Sequence, residues 1–207
     1  MKQVFLNKTI NSIKKYNPKF DSDEIDKIKY GLEGIYLTIT KAIVLITISI
    51  MLGILKEFII FTLLFNGIRI FAFGLHLSNS YICLVFSGLV FILASYFANI
   101  FTINPIIKLI LLLICIGLII LYAPADTHKR PLIKRGKRRR FKFLAILISL
   151  VYGVLAFIIP DNFLSNCLVL ALFVEVIMIL PISYRVLKMP YNNYKAYVRA
   201  IYWGWFK

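Results

Sequence analysis

The feature that most constrains this chain is a series of long apolar runs, each able to cross a lipid bilayer as a helix. About 18–23 apolar residues in a helix span the roughly 30 Å hydrocarbon core of a bilayer. Six runs of this length follow one another, at residues 38–55, 57–74, 81–103, 105–123, 142–160 and 163–182. They predict an all-α fold, a polytopic transmembrane helical bundle of about six spans.

The composition supports a membrane protein. Hydrophobic residues make up 60% of the 207 residues, against roughly 45–50% in soluble domains. A soluble domain of this size leaves much of its surface in water, so this much apolar surface could not be hidden. A water-soluble monomer is therefore excluded. The formal net charge of +16 then indicates contact with anionic lipid rather than with nucleic acid.

The distribution of the basic residues predicts an orientation in the membrane. All but four of the 25 lysines and arginines (Lys41, Lys56, Arg69 and Lys108) lie before the first run, between the fourth and fifth, or after the sixth. Six spans place these three segments on one side, and basic segments stay in the cytoplasm. Both termini and the 124–141 loop are therefore expected on the cytoplasmic face of the membrane.

The sequence predicts one membrane-embedded domain with polar additions at both ends. Before the first run, Val4, Ile10 and Ile13 recur at near-helical spacing among lysines, which is typical of an interfacial amphipathic helix. Docking of an amphipathic peptide beside this segment is the alternative. The expected organisation is one domain over 1–207, with a cytoplasmic amphipathic segment (1–36), the transmembrane bundle (37–182) and an aromatic, basic tail (183–207).

Polar side chains inside the spans are the candidates for function, because they are costly in lipid. They are Arg69, His76, Cys83 and Glu175, with Asn66 as a minor member. Glu175 could couple transport to protons, but an ion pair with Arg69 is the favoured interpretation.

Two further groups of residues are expected to have no chemical role. Lys41, Lys56 and Lys108 lie near the ends of runs, where a lysine can extend its amine to the membrane surface. Cys115 and Cys167 lie in apolar surroundings and are expected to be inert packing.

His76 and Cys83 could form a cysteine–histidine dyad only if the chain between them leaves the helix. Seven helical residues separate them by roughly 10.5 Å along the axis, too far for direct proton transfer. The segment 78–80, Ser-Asn-Ser, favours a turn. If Ser80 caps the next helix, Cys83 is its third residue, where the helix dipole favours a thiolate. Inert packing of the cysteine and an interfacial histidine remain the alternatives.

Two separated motifs resemble those of the accessory gene regulator B family. Residues 69–76, Arg-Ile-Phe-Ala-Phe-Gly-Leu-His, followed by Cys83, resemble that family's Arg…Gly-x-His-x6-Cys region. Residues 122–131, Tyr-Ala-Pro-Ala-Asp-Thr-His-Lys-Arg-Pro, resemble its Tyr-Ala-Pro-x-x-Thr-x-x-(Lys/Arg)-Pro signature. Many members have two glycines where this chain has Phe73-Gly74, so the resemblance does not specify which peptide is processed.

The resemblance implies a membrane cysteine endopeptidase of quorum sensing. Cys83 would be the nucleophile and His76 the general base, with Arg69 and Gly74 as substrate-binding or supporting residues. The substrate would be an amphipathic, AgrD-like propeptide that loses its C-terminal tail and closes to a thiolactone or lactone. Membrane lipids are further expected partners, and a homo-oligomer is compatible with the sequence.

No cofactor and no metal are expected. His128 is far from the other candidate ligands in the sequence, and no Cys/His/Asp/Glu cluster completes a zinc site. Two other classes stay open, a small transporter or exporter using Glu175 and Arg69, and a non-catalytic membrane scaffold in which Cys83 is dispensable.

Overall fold

The computed structural model describes residues 2–16, 21–75, 80–127, 132–195 and 198. Within these residues the secondary structure is helical, apart from one isolated β-bridge. The helices are α1 (Lys2–Tyr16), α2 (Ser22–Met51), α3 (Leu55–Ala72), α4 (Ser80–Ile100), α5 (Pro105–Tyr122), α6 (Arg135–Ile158), α7 (Asn162–Ile179) and α8 (Pro181–Val186). The prediction of an all-α polytopic bundle is confirmed.

Five described helices are long and apolar enough to cross a membrane. They are Glu24–Met51 in α2, Ile82–Ile100 in α4, and all of α5, α6 and α7. The remaining predicted run corresponds to α3, which has 18 residues but carries the charged side chains of Lys56, Glu57 and Arg69. Five clear candidates and the more polar α3 agree with the prediction of about six spans.

The chain forms two compact units, residues 1–53 and 54–207. In the first unit, α1 packs against α2 and buries Leu6 and Ile10. Helix α2 runs without a break from Ser22 to Met51, so the predicted boundary at residue 36 does not interrupt the backbone. The assignment of residues 1–207 to a single domain stays a prediction.

Helix α7 is the centre of the second unit. It contacts α3, α4, α5 and α6, and its buried side chains lie all around the helix. About 61% of its most apolar stretch is buried inside the protein, against 33% or less for the other candidate spans. A helix that is buried on most sides is expected to be apolar nearly all round, so its three buried polar side chains, Ser165, Asn166 and Glu175, need partners inside the bundle.

Small and aromatic side chains provide the packing around α7. Helix α6 turns a face of small residues inward (Ala145, Ser149, Gly153 and Ala156), which allows helices to approach closely without a hydrophobic driving force in lipid. Between α3 and α4, the ring of Phe91 packs edge-on against Phe61 and Phe65, with centroids 5.8 and 4.9 Å away.

Side chains cap the first turns of α5 and α7, whereas α6 begins earlier than its apolar run. Asn104 caps α5 by accepting a hydrogen bond from the Ile106 amide at 2.9 Å, and Asp161 caps α7 through the Phe163 amide at 3.0 Å. Helix α6, however, begins at Arg135 rather than near residue 142, so the basic loop predicted over 124–141 is partly helix. Lysine and arginine are good helix formers, and no proline follows Pro131 in this segment.

Candidate active site

The C-terminal end of α3 unwinds just before His76. The helix ends at Ala72, and the next two residues have positive φ angles, 61° at Phe73 and 111° at Gly74. A side chain at residue 74 would also meet the Arg69 guanidinium and lie 3.0 Å from the Met178 carbonyl oxygen. Only glycine combines this backbone conformation with this lack of space.

The unwound segment joins the two motifs that the sequence analysis singled out. Phe73 and Ala125 form a parallel β-bridge. The Ala125 amide donates to the Ala72 carbonyl at 3.0 Å, and the Gly74 amide donates to the Ala125 carbonyl at 2.7 Å. The Tyr-Ala-Pro-Ala segment after α5 is therefore the partner of the residues that lead into His76.

Arg69 fixes the position of Leu75, the residue before His76. Its guanidinium donates to both carboxylate oxygens of Glu175 at 3.4 Å and to the Leu75 carbonyl. The Leu75 amide in turn donates to the Met178 carbonyl at 2.9 Å. Both polar groups of the Leu75 backbone are thus held. The predicted ion pair between Arg69 and Glu175 is confirmed.

Cys83 lies in the first turn of α4, which begins at Ser80. Since Ser80 is already helical, Cys83 is the fourth residue of the helix, one position later than predicted. Cys83 is partly exposed, and its backbone carbonyl accepts a hydrogen bond from Ser87 Oγ at 2.5 Å. Helix α4 packs against α3 and α7, the two helices whose C-terminal ends hold Leu75.

His76 and the Leu-Ser-Asn segment that follows it lie outside the described residues, as does His128. The turn predicted between His76 and Cys83 and the approach of their side chains therefore stay predictions.

The other two cysteines differ clearly from Cys83. Cys115 in α5 is 2% exposed and Cys167 in α7 is 0% exposed, and all three cysteines are in described residues and outside disulfides. The expected burial of Cys115 and Cys167 in packing is confirmed. Of the three thiols, that of Cys83 is the only one in a residue that is not fully buried.

Asp126 is a buried carboxylate that the sequence analysis did not single out. It accepts hydrogen bonds from the Leu132 amide at 3.3 Å and the Tyr194 amide at 2.7 Å. Its backbone carbonyl accepts from Tyr184 Oη and from Asn193, both at 3.4 Å. Burial raises the pKa of the Tyr184 phenol well above its usual range, which keeps it a donor. Asp126 thus ties the C-terminal segment to the residue next to the β-bridge.

Lys108 was expected to reach the membrane surface, and this prediction is wrong. The residue is 7% exposed, and its ammonium donates to Ser165 Oγ at 2.5 Å, while the Ser165 hydroxyl donates to the Ala156 carbonyl. The sequence does indicate that Lys108 is buried, because it shares helical spacing with the buried Leu112, Cys115 and Ile119.

The fold and the candidate site define a class of protein before any comparison is made. The chain is a helical membrane protein whose α3, α5 and α7 end together, beside the start of α4. At this end, one partly exposed cysteine follows a backbone segment held by an arginine–glutamate pair and a β-bridge.

Comparison with known proteins identifies the family. The family model for accessory gene regulator B matches residues 6–179. An AgrB-like protein of Clostridium acetobutylicum is 37% identical over 183 residues, which cover 88% of both chains. The accessory gene regulator protein B of Staphylococcus aureus (strain Newman) is 35% identical over 158 residues, covering 76% of this chain and 82% of that one. No solved structure matches.

The chain belongs to the accessory gene regulator B family. Membership supports a role in the accessory gene regulator system of quorum sensing and implies an AgrD-like propeptide as partner. The resemblance stated from the two motifs is confirmed.

Proposed function

We propose that this protein is a membrane-embedded cysteine endopeptidase that processes an AgrD-like signal propeptide. It removes the C-terminal tail of the propeptide and, through an acyl-enzyme, allows the remaining peptide to close into a thiolactone or lactone. The observation that carries the proposal is the junction of the two family motifs at the β-bridge between Phe73 and Ala125. This junction fixes the backbone that leads into His76, seven residues before the partly exposed Cys83.

The proposed reaction has two acyl-transfer steps. In the first, the Cys83 sulfur attacks the carbonyl carbon of the scissile peptide bond while His76 accepts the thiol proton. The C–N bond then breaks, His76 gives the proton to the leaving amine, and the tail departs. In the second, a cysteine or serine of the bound peptide gives its proton to His76 and attacks the thioester. Cys83 recovers its thiol as the ring closes.

The proposed roles of Arg69 and Gly74 follow from their contacts. Arg69 is engaged with Glu175 and the Leu75 carbonyl, so we assign it the positioning of the His76 backbone rather than direct binding of an anionic group. Gly74 is required because the backbone has a positive φ angle and no space for a side chain. Both residues therefore support the dyad without touching the scissile bond.

The energetics of the two steps require that water be kept away from the acyl-enzyme. Exchange of an amide for a thioester is uphill, so turnover depends on the departure of the tail or of the cyclic product. Ring closure from a thioester onto a thiol is nearly balanced. Hydrolysis would compete with it, and a site at the boundary of the membrane bundle limits the access of water.

The proposed topology places this site at the cytoplasmic face of a multi-pass membrane protein. The basic N-terminal turns of α6 and the start of α4 belong to the end of the bundle that carries the β-bridge. The bias of lysine and arginine assigns this end to the cytoplasm, where a newly made propeptide is present.

The transporter alternative loses its main support in the structure. A lone carboxylate in the membrane would favour a proton-coupled pathway, but Glu175 is fully buried and paired with Arg69. The ion pair has a structural role instead, because Arg69 also donates a hydrogen bond to the Leu75 carbonyl. Transport of the product by the same chain stays an open extension of the proposal.

Co-expression with the AgrD-like propeptide tests the proposal, with cleavage scored by mass spectrometry. Cys83→Ala should abolish cleavage, because the thioester cannot form. His76→Ala should slow it by roughly 10²–10⁴-fold, the usual contribution of a positioned base. In the parent protein, a hydroxylamine-sensitive mass increase on the peptide that contains Cys83 should report the acyl-enzyme.

The buried cysteines provide matched controls. Cys115→Ala and Cys167→Ala remove the same thiol from packed positions and should retain cleavage, once the amount of protein in the membrane has been normalised. Cleavage by Cys83→Ala at normal membrane levels would disprove the peptidase proposal and restore the transporter.

A further inference from the structure

A basic groove lies where α5 ends and α6 begins, beside the β-bridge segment. It has a volume of about 490 Å³. Four cationic side chains of α6 line the groove together with Leu121, Tyr122 and Tyr194. The cations occupy positions i, i+3, i+4 and i+7 of the helix, which form one face, and they are Arg135, Arg138, Arg139 and Lys142.

None of these four cations forms an ion pair with an acidic side chain in the described part of the chain. The Arg138 guanidinium stacks instead on the Tyr194 ring, 3.3 Å from its centre. Lys134, the cap residue just before α6, supplies no side-chain capping hydrogen bond, so the helix adds its own partial positive charge at this end. Four like charges in one groove call for an anionic ligand.

The location of the groove indicates the source of the anion. Helices α5 and α6 are both candidate spans, so the groove lies at the level where a membrane helix ends. Leu121, at the last turn of α5, is 69% exposed and places an apolar surface directly beside the cations. Basic pockets between spans at a membrane surface hold anionic headgroups, and tyrosines prefer the same depth.

We propose that this groove is a binding site for an anionic phospholipid. The phosphate lies among Arg135, Arg138 and Arg139, the tyrosine hydroxyls contact the headgroup, and the acyl chains extend along the exposed surface that includes Leu121. An acidic peptide would satisfy the cations equally well, but the position of the groove at the ends of two candidate spans favours a lipid. The proposal does not depend on the peptidase function.

Two triple variants with the same loss of charge test this site. The groove variant is Arg135→Gln/Arg138→Gln/Arg139→Gln. The control variant, Lys134→Gln/Lys137→Gln/Arg140→Gln, changes neighbours in the same segment that do not line the groove. Full-length protein in neutral detergent is titrated with phosphatidylglycerol or phosphatidylcholine, and native mass spectrometry counts the bound lipid.

The parent protein should bind one phosphatidylglycerol in preference to phosphatidylcholine. Three cations that each contribute about 1 kcal/mol predict that the groove variant binds it roughly 100-fold more weakly. The control variant should stay within a few-fold of the parent. Should the triple groove variant fail to fold, the exposed Arg139→Gln alone should weaken binding roughly 5-fold.

Four results would overturn the proposal. Equal binding of the two lipids, or equal losses in the two variants, would show only general surface charge. Glycerol 3-phosphate that binds as tightly as the lipid would reveal a site for free phosphate. Oligoglutamate that displaces the lipid, and binds the parent but not the groove variant, would reveal a site for an acidic peptide.

Discussion

Replacing Arg69 by methionine and Glu175 by leucine together should separate the stability of the bundle from the activity of the site. Glu175 is fully buried and lies 3.4 Å from the Arg69 guanidinium. Exchange of a whole buried ion pair for apolar side chains of similar volume is often neutral or stabilising. We therefore expect the double variant to be more stable than either single variant and to fall short of the parent only by the lost hydrogen bond to the Leu75 carbonyl.

Cleavage of the propeptide should be slow in this double variant even though the bundle remains folded. The Leu75 carbonyl would lose the arginine donor that fixes the residue before His76. A hydrogen bond to a charged group is worth about 1.5–3 kcal/mol. If that energy holds His76 in its reactive position, its loss slows cleavage by roughly 10–100-fold.

The two single variants, Arg69→Met and Glu175→Leu, complete a double-mutant cycle. Loss of one partner of a buried pair costs about 3–5 kcal/mol. Arg69→Met should lie at the upper end of that range, because the Glu175 carboxylate it leaves behind is 0% exposed; Glu175→Leu should lie at the lower end, because the Arg69 side chain is 20% exposed. Unfolding is followed by size-exclusion chromatography after heating in detergent, and cleavage by mass spectrometry.

One outcome refutes the reasoning. If the double variant regains both stability and full cleavage, the contact between Arg69 and the Leu75 carbonyl has no part in activity, and the ion pair serves only the bundle. If stability is regained while cleavage stays low, the positioning role is supported.

Three further changes test other parts of the structure. Gly74→Ala should abolish cleavage and destabilise the protein by at least about 1–2 kcal/mol, since φ is 111° there; parent-like activity would disprove the need for glycine. Asp126→Ala leaves two backbone amides unpaired and should increase proteolysis of the segment after α8, whereas Asp126→Asn should retain much of the protection. A Lys137→Cys probe added to a cysteine-free variant should resist an impermeant thiol reagent in intact cells; labelling would contradict the cytoplasmic orientation.

The sequence predicted those features that depend on local pattern or on a costly group in lipid. Four of the six apolar runs match their helices to within three residues, whereas α2 and α6 begin well before their runs. The expense of a lone Glu175 in a span predicted its pairing with Arg69. These features can be predicted because each depends on the pattern within one helix or on two charged groups that are rare inside the spans.

Other features could not be predicted, because they depend on which helices become neighbours. The β-bridge joins Phe73 to Ala125, far apart in the chain, and neither residue has a distinctive chemistry. Nearness to a span end predicts an exposed Lys108, but its helical spacing with buried residues decides its position. The basic segment is partly helix because its lysines and arginines favour helix.

The unwound backbone before His76 explains why the two motifs occur together. Inside a membrane bundle, non-helical backbone is tolerated only where every polar group has a partner. The Gly74 amide uses Ala125, the Leu75 amide uses Met178, and the Leu75 carbonyl uses Arg69. A helix that continued through Gly74 would satisfy the same groups locally, but it would keep His76 and Cys83 roughly 10.5 Å apart along the axis. The segment after α5 thus makes possible the break in α3 that a dyad between these two residues requires.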